Sequence, residues 1–214
     1  MKIRWSSVAT VLLCVQLALA TDKPAAKHKT VYDYSMITYD GKEVSLSTYK
    51  GKVLLIVNLA SKSIYKSQLK SLEDLRNQYS AKGFEVIGIP SADFGAEELS
   101  DNPAIHKYYA DEEHITFPVF AKTSLRGKDA IPLVSLLTDP KDGAGGGDIH
   151  WNFTKFLIDR QGQPVARFEA DTDPSDPEFH VTVEQLLDGK FKKKEGSGEH
   201  APQGAPDGDD DGGL

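Results

Sequence analysis

Ser63, Asp93 and the adjacent pair Trp151-Asn152 are the side chains whose types and spacing could do chemistry. Ser63 closes Asn58-Leu-Ala-Ser-Lys-Ser63, which leaves one apolar run, and Asp93 lies in Ile89-Pro-Ser-Ala-Asp-Phe-Gly95, which leaves another. A hydroxyl at the start of a helix with a carboxylate or imidazole as base is the outline of a hydrolytic nucleophile. A thiol at the same place would be activated by the positive field of the helix terminus. The chain's one cysteine is Cys14, far from these loops. The six histidines, His28, His106, His114, His150, His180 and His200, show no spacing that nominates a base. His150 is near Trp151, but as a strand neighbour it is expected to point to the opposite face. No His-x-x-x-His or Cys-His spacing indicates a structural or catalytic metal. Asp207, Asp209, Asp210 and Asp211 could hold Ca²⁺ only loosely, because a tight site needs spaced ligands and a sharp turn.

The elements that must position these side chains follow from pattern. Tyr32 to Ile37 and Glu43 to Leu46 flank Asp40-Gly41, a hairpin signal. Val53 to Leu59 is continuously apolar and β-branched, as in a strand buried on both faces. Leu69, Leu72, Leu75 and Tyr79 then recur at helical spacing, Lys82-Gly83 forms a stop, and Phe84 to Pro90 is a second buried strand. The result is a βαβ unit with parallel strands. Pro103 to Glu113 and Ile131 to Leu137 read as short helices. Asp142 to Asp148 is a Gly-rich loop, and Phe153 to Asp159 with Pro164 to Phe168 forms a second hairpin. Asp176 to Leu187 is a last helix with Pro177 in its first turn. This order gives an α/β fold, a central mixed sheet with flanking helices and an N-terminal β-hairpin, laid out as a thioredoxin-like fold. In such a sheet the site lies beyond the carboxyl ends of the parallel strands. A tryptophan at the start of a strand, as at Trp151, is expected to be a packing anchor.

The ends of the chain differ from its middle. Residues 1–20 combine Lys2 and Arg4, an apolar stretch, and Ala18-Leu19-Ala20, the pattern of a secretory signal; residues 21–30 read as a linker. The apolar stretch is too short to span a bilayer, and no later segment approaches the ~20 apolar residues required, so no membrane span is expected. Residues 190–214 are Lys-rich and then Gly- and Asp-rich, with too little apolar surface to offset ordering entropy, and read as a disordered acidic tail. No retrieval signal ends the chain, which favours secretion. The net charge of −7 argues against nucleic acid as a partner. The domain between, residues 31–189, is long enough to build a core without disulfides.

Across this span the chain resembles the glutathione peroxidase family. The resemblance rests on Tyr39-Asp-Gly-Lys-Glu-Val-Ser-Leu46, Tyr49 to Asn58, Ala60-Ser-Lys62, Pro90 with Phe94-Gly95, Phe117-Pro118, and above all Trp151-Asn-Phe-Thr-Lys-Phe-Leu157. It implies hydroperoxide reduction by a cysteine or selenocysteine in the first loop. A glutamine from the second loop and the Trp-Asn pair would support it, with glutathione or thioredoxin as reductant. The lack of a long insertion before Ile131-Pro132 is similar to the compact, monomeric branch. Carried onto this chain, Trp151 and Asn152 match, but the redox position holds Ser63 and the glutamine position Asp93. Ile64 stands where the family usually has glycine and Ala92 where it has asparagine. Ser91 and Ala110 stand at cysteine positions of thioredoxin-using members.

Serine cannot repeat the implied reaction, which needs an anion that attacks the O–O bond, becomes oxidised and is reduced by a thiol. Its hydroxyl is far less acidic than a thiol of pKa ~8.5. A carboxylate at position 93 would repel a developing anion and lacks the amide donors of glutamine. The sequence therefore leads to a secreted, catalytically silent family member that acts as a binding domain for an unidentified protein or ligand, with a weak hydroperoxide-reducing oxidoreductase as the alternative. Asn152-Phe153-Thr154 matches a glycosylation sequon, expected to stay unmodified because Asn152 would lie in the cleft.

Overall fold

The computed structural model of the chain describes residues 29–141, 144 and 146–192. The signal-like residues 1–20, most of the linker and the acidic run Asp207 to Asp211 lie outside these described residues. The first elements are a short antiparallel hairpin, β1 (Ser35–Ile37) and β2 (Glu43–Ser45), which pairs Ser35 with Ser45 and Ile37 with Glu43. The strands are shorter than the alternating sequence suggests, because Val31–Asp33 and Leu46–Tyr49 coil into 3₁₀ turns. Val31 and Leu46 are thereby buried.

The central sheet has four strands in the order β4-β3-β5-β6. β3 (Val53–Leu59) and β4 (Phe84–Pro90) run parallel, joined through α1 (Gln68–Tyr79). β5 (Lys155–Ile158) is antiparallel to β3, and β6 (Pro164–Phe168) is antiparallel to β5. Every residue of β3 is buried. Leu55, Val57 and Leu59 face one core with Leu69, Leu72 and Leu75 of α1 and Val183 of α4 (Pro177–Leu187), whereas Leu54 and Ile56 face a second core with Leu133 and Leu136 of α3 (Pro132–Leu137). A strand clad on both faces needs no polar alternation, which is why the run is continuous. Burying each such side chain contributes roughly 1.5–3 kcal/mol, so the position of β3 is over-determined and the loops at its ends inherit a rigid base.

Two glycines are fixed by geometry. Gly83 ends the turn after α1 with φ 87°, the left-handed conformation that glycine adopts without cost. Gly88 of β4 sits where an added Cβ would meet Leu59 Cδ1 at 2.5 Å; the bare backbone exchanges hydrogen bonds with Pro118 and Phe120. The expected helix from Pro103 to Glu113 is α2 (Asn102–His106) running into a π-helical segment, Lys107–Glu112. The wider turn brings the buried Tyr109 hydroxyl to Glu98 Oε2 at 2.8 Å. Among the described residues no helix is long and apolar enough to cross a membrane.

Candidate functional site

The loop after β3 and the loop after β4 both emerge at the carboxyl ends of the parallel strands, and hydrogen bonds lace them to the turn before β5. The Lys62 amide donates to the Glu97 carbonyl (2.8 Å), the Ser91 amide to the Leu59 carbonyl (3.0 Å), and the Phe153 amide to the Asn58 carbonyl (2.8 Å). Asn58 reinforces the last contact, donating through Nδ2 to the Trp151 carbonyl at 3.2 Å. The three loops therefore form one rim around the mouth of the βαβ unit.

Ser63 lies in this rim with 1% of its surface exposed. Its Oγ accepts from the Tyr65 amide at 3.4 Å, a turn-capping role natural to serine. α1 begins only at Gln68, so the expectation that Ser63 sits at the helix terminus is corrected: a separate turn intervenes, and the dipole field weakens beyond the first turn. Among the described residues no carboxylate or imidazole is hydrogen-bonded to Ser63 Oγ, so the base that a hydrolytic nucleophile requires is not in place.

Asp93 does not join Ser63. Its Oδ2 accepts from the Ser124 hydroxyl (3.0 Å), the Leu125 amide (2.6 Å) and the Arg126 amide (3.1 Å). Three donors turn the carboxylate toward the 124–126 segment.

Asn152 is fully buried, and its amide is spent. Nδ2 donates at 2.8 Å to the Phe94 carbonyl and at 2.8 Å to Glu97 Oε2. The flipped amide would set Oδ1 against both acceptors, so the orientation is determined, and an amide NH₂ has only two protons to give. What remains is Oδ1, buried without a partner, as are Asn58 Oδ1 and Ser61 Oγ. The two side-chain amides of the rim thus leave only acceptor oxygens unmet, where an anion-stabilising site needs donors. The same burial closes Nδ2 to glycosylation.

Trp151 departs from the packing-anchor expectation: 40% of it is exposed. Residues 151–153 form a turn, β5 starting only at Lys155, so strand alternation does not govern where His150 points. Phe153 adopts φ 64° and Ala96 φ 53°, left-handed conformations that cost roughly 1–2 kcal/mol for residues with a Cβ. Complete burial of Phe153 in the α1-side core holds the first of these. Lys155, also fully buried, donates through Nζ to the Phe153 carbonyl at 2.8 Å and to the Glu169 carbonyl at 3.3 Å. Desolvation pushes its ammonium down to about 8, with Asp173, Asp171, Glu169 and Asp176 opposing the shift.

Glu97 and Lys155 are the participants that reading the sequence missed. Glu97 could have been suspected from its place in the loop after β4, whereas nothing local marks Lys155 in an apolar strand. Among the described residues no group of three or more His, Cys, Asp or Glu side chains could hold a metal.

Residues 31–138 match the family model described as glutathione peroxidase. A glutathione peroxidase of Lactococcus lactis is 41% identical over 150 residues, covering 70% of this chain and 96% of its own length. A hydroperoxy fatty acid reductase of Synechocystis is 38% identical over 169 residues, covering 76% and 99%. Among solved structures, the T. cruzi protein GPX1 superposes with TM-score 0.59 at 33% identity, covering 75% of this chain and 97% of the other. A thioredoxin-family thiol:disulfide interchange protein of Chlorobium tepidum reaches TM-score 0.55 at 21% identity, covering 76% and 99%, a likeness of fold alone.

Proposed function

The chain belongs to the glutathione peroxidase family, and we propose that it is a member whose hydroperoxide chemistry has lapsed and whose scaffold serves as a secreted binding domain. The observation that carries this reading is the Asn152 amide, both of whose protons are bound to Phe94 and Glu97. With Ser63 at the redox position, no anion forms there. With Asn152 spent and Asp93 turned to residues 124–126, no side-chain amide of this set would stabilise one.

Hydroperoxide consumption by the purified protein, with glutathione or thioredoxin as reductant, is expected to match that of Ser63→Ala. A rate clearly above that control overturns the proposal in favour of the second reading, a weak hydroperoxide-reducing oxidoreductase, which the names of the relatives favour. Ser63→Cys with Asp93→Gln then separates a competent scaffold from an altered one, by gain or absence of activity.

Secretion rests on the signal pattern of residues 1–20. Terminal sequencing of protein recovered from culture medium is expected to begin at Thr21, and retention of Met1 in a cell-associated form would remove this part of the reading.

A further inference from the structure

Residues 117–120 link the central sheet to the N-terminal hairpin: Val119 pairs in parallel with Gly88 of β4, and Phe120 pairs antiparallel with Thr38. Between this link, the hairpin and α2 lies a cavity of about 270 Å³. Phe117 and Phe120 come to it from the link, Val44 from the hairpin, and Ile105 and Ala110 from α2 and the π-helical segment that continues it. The π-helical turn presents to the cavity the bare methyl of Ala110, and such turns are uncommon and recur at functional sites. Just beyond it His114 takes φ 54°, a left-handed conformation that is costly for a residue with a Cβ. An irregular helix, backbone strain and a cavity therefore coincide away from the former redox rim.

We propose that this cavity binds a small, neutral aromatic molecule with one polar substituent. Among the described residues no Asp, Glu, Lys or Arg side chain lines it. Two of its polar groups are already engaged: the Tyr109 hydroxyl donates to Glu98 Oε2 at 2.8 Å, and the Thr38 hydroxyl is shared between the Asp40 carboxylate and the Lys42 backbone. A charged ligand would lose its water there and meet no counter-charge. An apolar ring loses nothing comparable and gains the burial of its surface. The opening is itself aromatic. Tyr39, the exposed member of the lining, stacks on His106 with ring centroids 3.6 Å apart. The Tyr39 hydroxyl and the His106 ring nitrogens make no hydrogen bond among the described residues, so the pair offers ring contact and a partner for one hydroxyl. Filled somewhat below interior density, the volume holds on the order of ten heavy atoms, the size of a fused bicyclic ring. The proposal does not depend on the loss of hydroperoxide chemistry, because Ser63, Asp93, Trp151 and Asn152 lie outside the lining.

Calorimetric titration of the full chain with 2-naphthol at neutral pH is expected to show one site with a dissociation constant on the order of 100 μM. 2-Naphthoate, close in shape but anionic, is expected to bind at least about tenfold more weakly, and decahydro-2-naphthol, similar in size but without the ring system, at least about threefold more weakly. Ala110→Leu and Val44→Phe fill the cavity from different walls, and each is expected to weaken 2-naphthol at least about tenfold. Nuclear Overhauser contacts from the ligand to the Ala110 and Val44 methyls in the unaltered protein locate it even if a filled variant folds poorly. Ile64→Ser removes the most exposed of the large hydrophobic side chains, 78% accessible on the former redox rim, and is expected to change affinity less than about twofold. Absence of saturable binding, equal binding of either control compound, or affinity unchanged in both filled variants overturns the proposal. So does ligand contact, or a tenfold loss, that maps to Ile64 instead. Hydroperoxide assays report separately on the rim, so activity there would sink the functional reading and leave this one standing.

Discussion

At the end of the sheet where β3 begins, Arg160 donates to the Gly51 carbonyl (2.7 Å), the Lys82 carbonyl (3.1 Å) and the Leu187 carbonyl (3.3 Å), binding a turn, the end of a helical segment and the end of α4. Tyr32 returns a hydrogen bond to the Arg160 carbonyl at 3.1 Å, and Gly51, Gly83 and Gly162 take left-handed positions there. At the other end, where β3 finishes, Asn58 Oδ1, Ser61 Oγ and Asn152 Oδ1 are buried without partners, and Ala96 and Phe153 occupy left-handed backbone. One end satisfies its polar groups and places glycine where the backbone asks for it. The opposite end tolerates unmet polar atoms and strain, which proteins retain where a site is or was needed.

Breaking the satisfied end should cost most. Arg160→Met removes three charge-assisted hydrogen bonds to carbonyls and is expected to lower stability by about 3–4 kcal/mol, less than their sum because water reaches part of the site; urea denaturation measures it, and a loss below about 1 kcal/mol would show that the clamp is decorative. At the strained end the greatest effect is expected at Lys155. Its folded-state value is about 8 against the ordinary 10.5, so between those values the unfolded chain binds more protons than the folded one. Stability attributable to Lys155 therefore rises with pH through that window and is flat below it. The difference between wild type and Lys155→Met is expected to shift by about 2–3 kcal/mol from pH 8 to 10.5; a difference independent of pH in this range would contradict it.

Smaller changes sharpen the contrast with opposite signs. Gly83→Ala forces a Cβ into left-handed backbone 3.0 Å from Arg160 Nη1 and is expected to cost about 1–2 kcal/mol. Ala96→Gly removes the corresponding strain from the open rim and is expected to raise stability by up to about 1 kcal/mol. Paired melting curves of the two variants test this, and the comparison fails if both shift the same way. Finally, Ser63→Cys alone is expected to yield a thiol titrating at or above ~8.5, because it is buried and no side-chain amide of the Asn152 kind is free to stabilise the thiolate; alkylation rate against pH reads it directly.

Much of the scaffold was legible from local pattern. The run Val53 to Leu59 could be placed as a doubly covered strand because apolar β-branched residues in sequence satisfy a parallel sheet and little else, and Leu69, Leu72, Leu75 and Tyr79 fixed the crossover helix by spacing alone. Asp40-Gly41 marked a hairpin that exists, though shortened by turns whose residues are buried. The π-helical segment after α2 was not legible, since it depends on the reach of Tyr109 to Glu98, eleven residues earlier.

The identities at the site belong to the sequence: a hydroxyl at 63, a carboxylate at 93, an indole and an amide at 151 and 152, and no cysteine anywhere near them. Those identities determined that a thiol reaction could not run through these positions. Which way each group points was decided by tertiary structure, because orientation is set by partners distant in the chain. Asp93 is turned by amides at 125 and 126, the Asn152 amide is committed by Phe94 and Glu97, and Trp151 is left exposed beside Gly95. A polar side chain has several rotamers of similar energy, and only the donors and acceptors brought around it by folding select one.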